Sequence, residues 1–381
     1  MESRPLRALF ICEKGVHFSA VAREMMRSGW ECSAITLSRS HLTRVKGWSE
    51  ILLIDKSSPF IPTVLSQHKD FLLSFDFISF GTDKYLGEVA ASSLSQLEKK
   101  ILLPISTDMG LAVMDSKIGF TSLVKKLQLP TPRSSTFSTR AELLEECSSF
   151  TPPFVIKGDR GGGGSAVKVI RSLEELDPLD ELQPGVIQEF LNLKPVGVEV
   201  IFNQGRVASW AYCADQLFTA NFGPSMRRHY SKPPSLDFLE HLEKFGEATG
   251  AQGFANASFF YLPEANSHQI FECDLRANHW VRLYPYLGVD VATLLSHEWN
   301  GEVFTPPFAE EGETFIHYGR ALTAAGDAHD AQAFLSAMRM YRRSSDFLAG
   351  EGHFFIYTAL NATKFLPRWL KKFLKSLRRY I

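Results

Sequence analysis

Apolar and polar positions along this chain switch repeatedly between strand-like and helical spacing. Residues 6–12 form a short apolar run, 13–17 a loop, and 19–27 a helical pattern that Gly29 stops before a second apolar run at 33–37. That is a βαβ opening. Further short runs at 50–54, 75–80 and 100–104 predict more strands, so the first hundred or so residues read as a small doubly wound α/β domain. Beyond it, a helix is predicted over 115–127, ending where the two prolines of Gln128-Leu-Pro-Thr-Pro132 forbid continuation. A helix at 140–147, strands at 154–157 and 166–170, alternating strand and turn over 186–213, a helix at 236–249 and two strands at 254–262 and 269–274 complete the pattern.

The length of 381 residues exceeds one ordinary core and implies two or three domains. Hydrophobic residues at 45% and charged residues at 22% are those of a globular protein, and a net charge of −1 gives no chain-wide case for nucleic acid, so no nucleic-acid partner is expected. Five cysteines without a Cys-x-x-Cys pair indicate neither a zinc site nor a disulfide framework and fit a reducing compartment. No apolar stretch approaches the length of a membrane span, and a cytoplasmic location is expected. The first loop holds one glycine, Gly15, where a dinucleotide fingerprint needs three, which argues against NAD.

The most informative stretch is Phe154-Val-Ile-Lys-Gly-Asp-Arg-Gly-Gly-Gly-Gly-Ser-Ala-Val-Lys-Val-Ile170. Gly161, Gly162, Gly163 and Gly164 can fold backbone N–H groups around phosphate oxygens, and Lys157 stands at the mouth of that loop. Strands on both sides and the lack of a following Gly-Lys-Ser/Thr exclude a P-loop. A second motif is Gln269-Ile-Phe-Glu-Cys-Asp-Leu-Arg-Ala-Asn278. On a strand Glu272 and Asp274 share one face and Arg276 follows, which suits an oxygen-ligated cation and developing negative charge.

Together these motifs resemble the ATP-grasp superfamily, most closely its biotin carboxylase and carbamoyl-phosphate synthetase type, over roughly residues 110–285. The resemblance implies an α/β plus α+β fold, a doubly wound pre-ATP-grasp domain followed by a two-lobed ATP-grasp fold. Its boundaries would fall at 1–110, 111–190 for the central lobe, 191–310 for the lobe with the metal site, and 311–381 for a helical extension. The bound nucleotide would be ATP with Mg²⁺, or Mn²⁺ in its place. Lys117, in Asp115-Ser-Lys117, would join Lys157 on the phosphates. Val186-Ile-Gln-Glu-Phe-Leu191 resembles the adenine hinge, with backbone at Glu189 and Leu191 and the side chain at Gln188, and Glu199 would face the ribose. The family writes Glu-x-Asn-x-Arg where this chain has Asp274. Where it carries an acidic or amide ligand this chain has Ser258, with Asn256 on the same face as a substitute. Arg228 and His229 of Ser225-Met-Arg-Arg-His-Tyr230 would border the phosphate and substrate region, Arg228 with a catalytic part beside Arg276 and Lys157.

The implied activity is ligation of a small-molecule carboxylate to an amine through an acyl phosphate. Two other readings stand beside it: a nucleotide-binding protein without turnover, and a kinase that phosphorylates without ligation. One feature lies outside the resemblance. Residues 364–379 carry seven basic residues and no acid, which leaves −8 on the rest, and their apolar positions form a helical stripe with Trp369 and Phe373. Such a segment suits an anionic membrane surface, a lipid-linked substrate at the inner membrane face, or docking on the chain's own acidic body.

Overall fold

A computed structural model describes residues 4–327, with gaps at 16, 57, 165, 177–182, 220–221 and 286, together with 332 and 334–335. The basic amphipathic segment at 364–381 and most of the expected extension lie outside the described residues. Among the described residues no helix is long and apolar enough to cross a membrane.

The first domain runs β1 (Arg7–Ile11), α1 (Phe18–Arg27), β2 (Glu31–Leu37), β3 (Glu50–Ile54), α2 (Phe60–Leu72), β4 (Phe77–Phe80), α3 (Asp83–Ala91), α4 (Gln96–Leu102) and α5 (Asp108–Val113). Its sheet order is β3-β2-β1-β4, with every pair parallel, so the doubly wound expectation is met. The apolar run at 100–104 is not a strand. Ser95 and Glu98 form a reciprocal capping box that starts α4, and residues 100–102 are the end of that helix.

The central lobe contains α6 (Lys117–Lys126), β5 (Ser134–Phe137), α7 (Arg140–Cys147), β6 (Phe154–Gly158), β7 (Val167–Ile170) and β8 (Gly185–Glu189), with antiparallel order β5-β8-β6-β7. It has a small core of its own, built on Phe137, Leu143, Phe154, Ile156 and Ile187.

The third unit comprises β9 (Pro195–Asn203), β10 (Arg206–Phe218), β11 (Ser225–Tyr230), α8 (Asp237–Thr249), β12 (Gly253–Leu262), β13 (Ser267–Asp274), α9 (Val291–Leu295), β14 (Glu313–Ile316) and α10 (Tyr318–Asp327). Its six-stranded antiparallel sheet has the order β13-β12-β9-β10-β11-β14. The boundary expected at 310 is therefore too early, because β14 pairs with β11 and closes that edge. Both faces of this sheet are covered. One face packs Val198, Val200 and Phe202 on Phe238 and Phe245 of α8 in a core shared with Leu9, Ile78 and Leu86 of the first domain. The other packs Ile201 and Phe254 with Phe10, Phe18 and Tyr284. The first and third units thus share cores, and α6 of the central lobe joins one of them through Phe120, Leu123 and Val124, while the lobe's own sheet packs in a separate small core.

Candidate active site

Antiparallel register sets the site. Glu199 on β9, Asn256 on β12 and Asp274 on β13 are paired across three strands, and two residues along lies a second row of Gly197, Ser258 and Glu272. Side chains alternate along a strand, so Glu199, Asn256, Ser258, Glu272 and Asp274 all project from one face. Arg276, just past β13, donates from one terminal nitrogen to Asp274 Oδ2 at 3.0 Å, and its Nε lies 2.6 Å from Asp83 Oδ2. Asp83 opens α3, where Thr82 caps the helix. Burial opposes the charge of Arg276, yet Asp83, Asp274 and Glu272 hold its pKa above the ordinary value. Asp274 is likewise pushed well up, by burial first and by Asp83 and Glu272, which for a carboxyl disfavours the charged form.

These carboxylates fit a magnesium ion in one specific sense. Among the described residues no group of three or more His, Cys, Asp or Glu side chains could hold a metal alone. Magnesium keeps several waters and takes one or two carboxylates together with phosphate oxygens, so Glu272 and Asp274 are enough. The crowding of Asp83, Glu272 and Asp274 is negative charge that a divalent cation would offset.

The glycine loop lies opposite this face. Lys117, first residue of α6, donates its ammonium to Gly161 O at 2.7 Å, and its backbone N–H donates to Asp159 O at 3.0 Å. Asp159 also accepts from Ser116 Oγ at 2.8 Å and Ile118 N at 2.9 Å, which ties the start of α6 to the loop. Gly161, Gly163 and Gly164 have φ of 110°, 63° and 76°, open only to glycine at little cost. A Cβ on Gly162 would stand 3.9 Å from Asp83. Lys157 places its ammonium 5.0 Å from the Phe271 ring centroid. Burial, with the charge of Lys117, lowers Lys157 to about 8 against the opposing pull of Glu272. Both lysines, the loop, and the acids with Arg276 thus lie together.

Other expected residues are placed differently. Glu199 is 2% exposed and does not face outward to a ribose. Its Oε1 accepts from the Arg228 guanidinium and from Asn256 Nδ2 at 3.2 Å, and its Oε2 accepts from Asn278 Nδ2 at 3.0 Å. Arg228 is equally buried, lies 5.1 Å from the Trp280 ring centroid and donates to Ser225 Oγ, so it braces the sheet rather than bordering open space. His229, the next residue on β11, points to the opposite face and pairs with Thr314 Oγ1 at 2.9 Å; it is not part of this site. Asn256 has committed its amide nitrogen, which leaves only Oδ1 for a cation.

In the hinge segment, Gln188 is buried and donates to Ser134 Oγ at 3.2 Å, so its side chain is spent inside the central sheet. The Glu189 backbone N–H donates to Arg133 O at 2.9 Å and its carboxylate accepts from Arg133 N at 2.7 Å. Leu191, half-buried just beyond β8, has no such backbone bond to another described residue and is the hinge position with its polar groups uncommitted.

The arrangement has counterparts. A family model described as an ATP-grasp domain matches residues 114–225. The chain carries an ATP-grasp domain. Solved structures extend the likeness to most of the chain. N5-carboxyaminoimidazole synthetase from Staphylococcus aureus is 12% identical with a TM-score of 0.62, over 86% of each chain. The biotin carboxylase domain of 2-oxoglutarate carboxylase from Hydrogenobacter thermophilus, solved with MgADP, ADP and bicarbonate, is 16% identical with a TM-score of 0.59, covering 79% of this chain and 71% of that one. L-amino acid ligase from Bacillus licheniformis is 16% identical with a TM-score of 0.59, over 79% and 76%. At such identities the likeness is one of fold. No curated protein sequence matches the chain.

Within the ATP-grasp domain the glycine loop packs on the turn before β11. A Cβ on Gly164 would overlap the Phe222 carbonyl, and the φ of Gly164 disfavours any side chain. Gly164→Ala is expected to displace the loop tip and weaken binding of an ATP analogue by about tenfold. Because the rest of the loop, Gly161 to Gly163, is exposed and free to shift, the urea unfolding midpoint should fall only slightly; a large shift with intact nucleotide binding would count against this role. Asp83, Asp159 and Asn278 were not singled out from the sequence. A Thr-Asp pair after an apolar run marks the helix start at Asp83, but nothing local marks its proximity to Arg276.

Proposed function

We propose that this protein is a Mg-ATP-dependent ligase that activates a carboxylate as an acyl phosphate and transfers it to an amine. The convergence of Lys117, Lys157 and the glycine loop on the face holding Glu272, Asp274 and Arg276 carries this reading. Lys117 and Lys157 would bind the nucleotide phosphates, the loop would cover them, and the segment ending at Leu191 would meet the adenine through backbone groups. A bound Mg²⁺, held by Glu272 and Asp274 with Asn256 Oδ1 in reach, would neutralise charge on the phosphates. Arg276, oriented by Asp83 and Asp274, would meet the charge that gathers on the transferred phosphoryl group and hold the attacking carboxylate. No protein nucleophile is needed, and the glycine loop over the phosphates would keep water from the mixed anhydride. The similar structures named as a synthetase and a ligase favour this chemistry over simple phosphorylation.

The test is ADP release with Mg-ATP and a panel of carboxylates, with hydroxylamine present to trap the acyl phosphate. ADP and hydroxamate are expected with one carboxylate and not with the rest. ADP with no hydroxamate, accompanied by a stable phosphorylated product, would replace the ligase by a kinase. Ser258 opposite Glu272 favours one second reading, nucleotide binding without turnover, for which the panel would yield neither product.

A further inference from the structure

Three histidines that the ligase chemistry does not use meet between the first domain and the third unit. His17 comes from the loop between β1 and α1, His279 from the loop after β13, and His317 from the end of β14. Their rings touch in series, His17 to His279 at 5.1 Å between centroids and His279 to His317 at 4.9 Å. Each presents a buried ring nitrogen with no partner: Nε2 of His17, Nδ1 of His279 and Nε2 of His317. His17 is only 6% exposed. Three orphaned polar atoms in one place are rare in a native interior and point to a missing ligand.

The character of that ligand follows from the surroundings. The charged groups that bear on the three rings are Arg276, Arg282 and Arg320. Burial first, and these cations with it, lowers all three histidines, His17 and His317 to about 3, so the rings are neutral. His317 Nδ1 lies 3.3 Å from the Arg320 backbone N–H and accepts from it, which puts the ring proton on Nε2 and makes the orphaned atom a donor. A donor at His317 beside these arginines suits an acceptor that bears negative charge, and the arginines repel a metal cation.

We propose that the second substrate carries a carboxylate or phosphate group, seated among His17, His279 and His317 with Arg282 and Arg320. The proposal deepens the ligase reading and rests on it for the role of the occupant. Arg276 links the two places, since it bears on His17 and is bonded to Asp274. An anion held here therefore belongs to a reactant and not to a remote effector.

The experiment uses the full chain loaded with Mg and a non-hydrolysable ATP analogue, titrated by calorimetry with inorganic phosphate or with acetate. One saturable anion site is expected, weakened about tenfold or more in the His279→Phe/His317→Phe variant, which keeps aromatic rings and removes the ring nitrogens. Preference for phosphate assigns a phosphorylated substrate, and preference for acetate a carboxylate. Histidine ¹⁵N spectra of the wild-type protein need no variant, and shifts of the three orphaned ring nitrogens on adding the preferred anion are expected. Unmoved histidine signals, no anion binding by the wild type, or equal affinity in the variant would overturn the proposal. If the analogue fails to bind but the anion binds and is lost in the variant, the seat stands and the ligase reading falls.

Discussion

Glu199→Gln is expected to cost about 3–5 kcal/mol of folding stability, read as a lowered urea midpoint. Glu199 and Arg228 are buried together, and the same carboxylate accepts from Asn256 and Asn278. Glutamine keeps the shape and one acceptor, but it leaves the guanidinium charged, desolvated and without its counter-charge. The cost comes from that abandoned charge rather than from the lost attraction. Replacing both members by apolar residues, Glu199→Leu with Arg228→Met, should accordingly recover most of the loss. A ribose-binding Glu199 predicts a different result: weaker ATP binding by Glu199→Gln with an unchanged urea midpoint. The two outcomes are separable in one set of unfolding and binding curves.

The residues that proved legible from sequence are those whose chemistry is local. The glycine run between two strands, Lys157 at its mouth, and the Glu272, Asp274, Arg276 spacing are each defined within a few positions, and strand alternation then fixes which side chains share a face. What could not be read is convergence. Asp83 meets Arg276, and His17 meets His279, only because the parallel sheet of the first domain packs its β-strand ends against the third unit. Glu199 looked free for a ligand because the buried partners that claim it come from β11, β12 and the loop after β13. Arg228 and His229 adjoin in sequence, but successive residues on a strand face opposite ways, so the two do not share one site. The misread run at 100–104 is of another kind. There the capping box Ser95-Gln-Leu-Glu98 is itself a local signal, and it makes Ile101 and Leu102 the end of a helix rather than part of a strand.

Lys157→Ala is expected to lower kcat/KM for ADP formation by about 10²–10³, the range for removing one electrostatic contact to developing charge. The loss has a pH signature. Burial, helped by Lys117, holds the free protein's Lys157 near 8, so its charge is present below that value and disappears above it. Binding a polyanion favours the charged form, so above pH 8 the protein must take up a proton to bind nucleotide, and affinity should fall by up to about tenfold per pH unit. Lys157→Arg stays charged throughout and should flatten that dependence. Stability runs in the opposite sense. Between about 8 and the ordinary lysine value the unfolded chain holds the proton more tightly, so this group's contribution to stability rises with pH there. Below pH 8 the native state carries a poorly solvated charge, and Lys157→Ala should remove that penalty even as activity is lost. Reduced turnover with retained or raised stability at pH 7 marks a lysine kept for its ligand; a large fall in both would make it a structural residue and leave Lys117 as the phosphate cation.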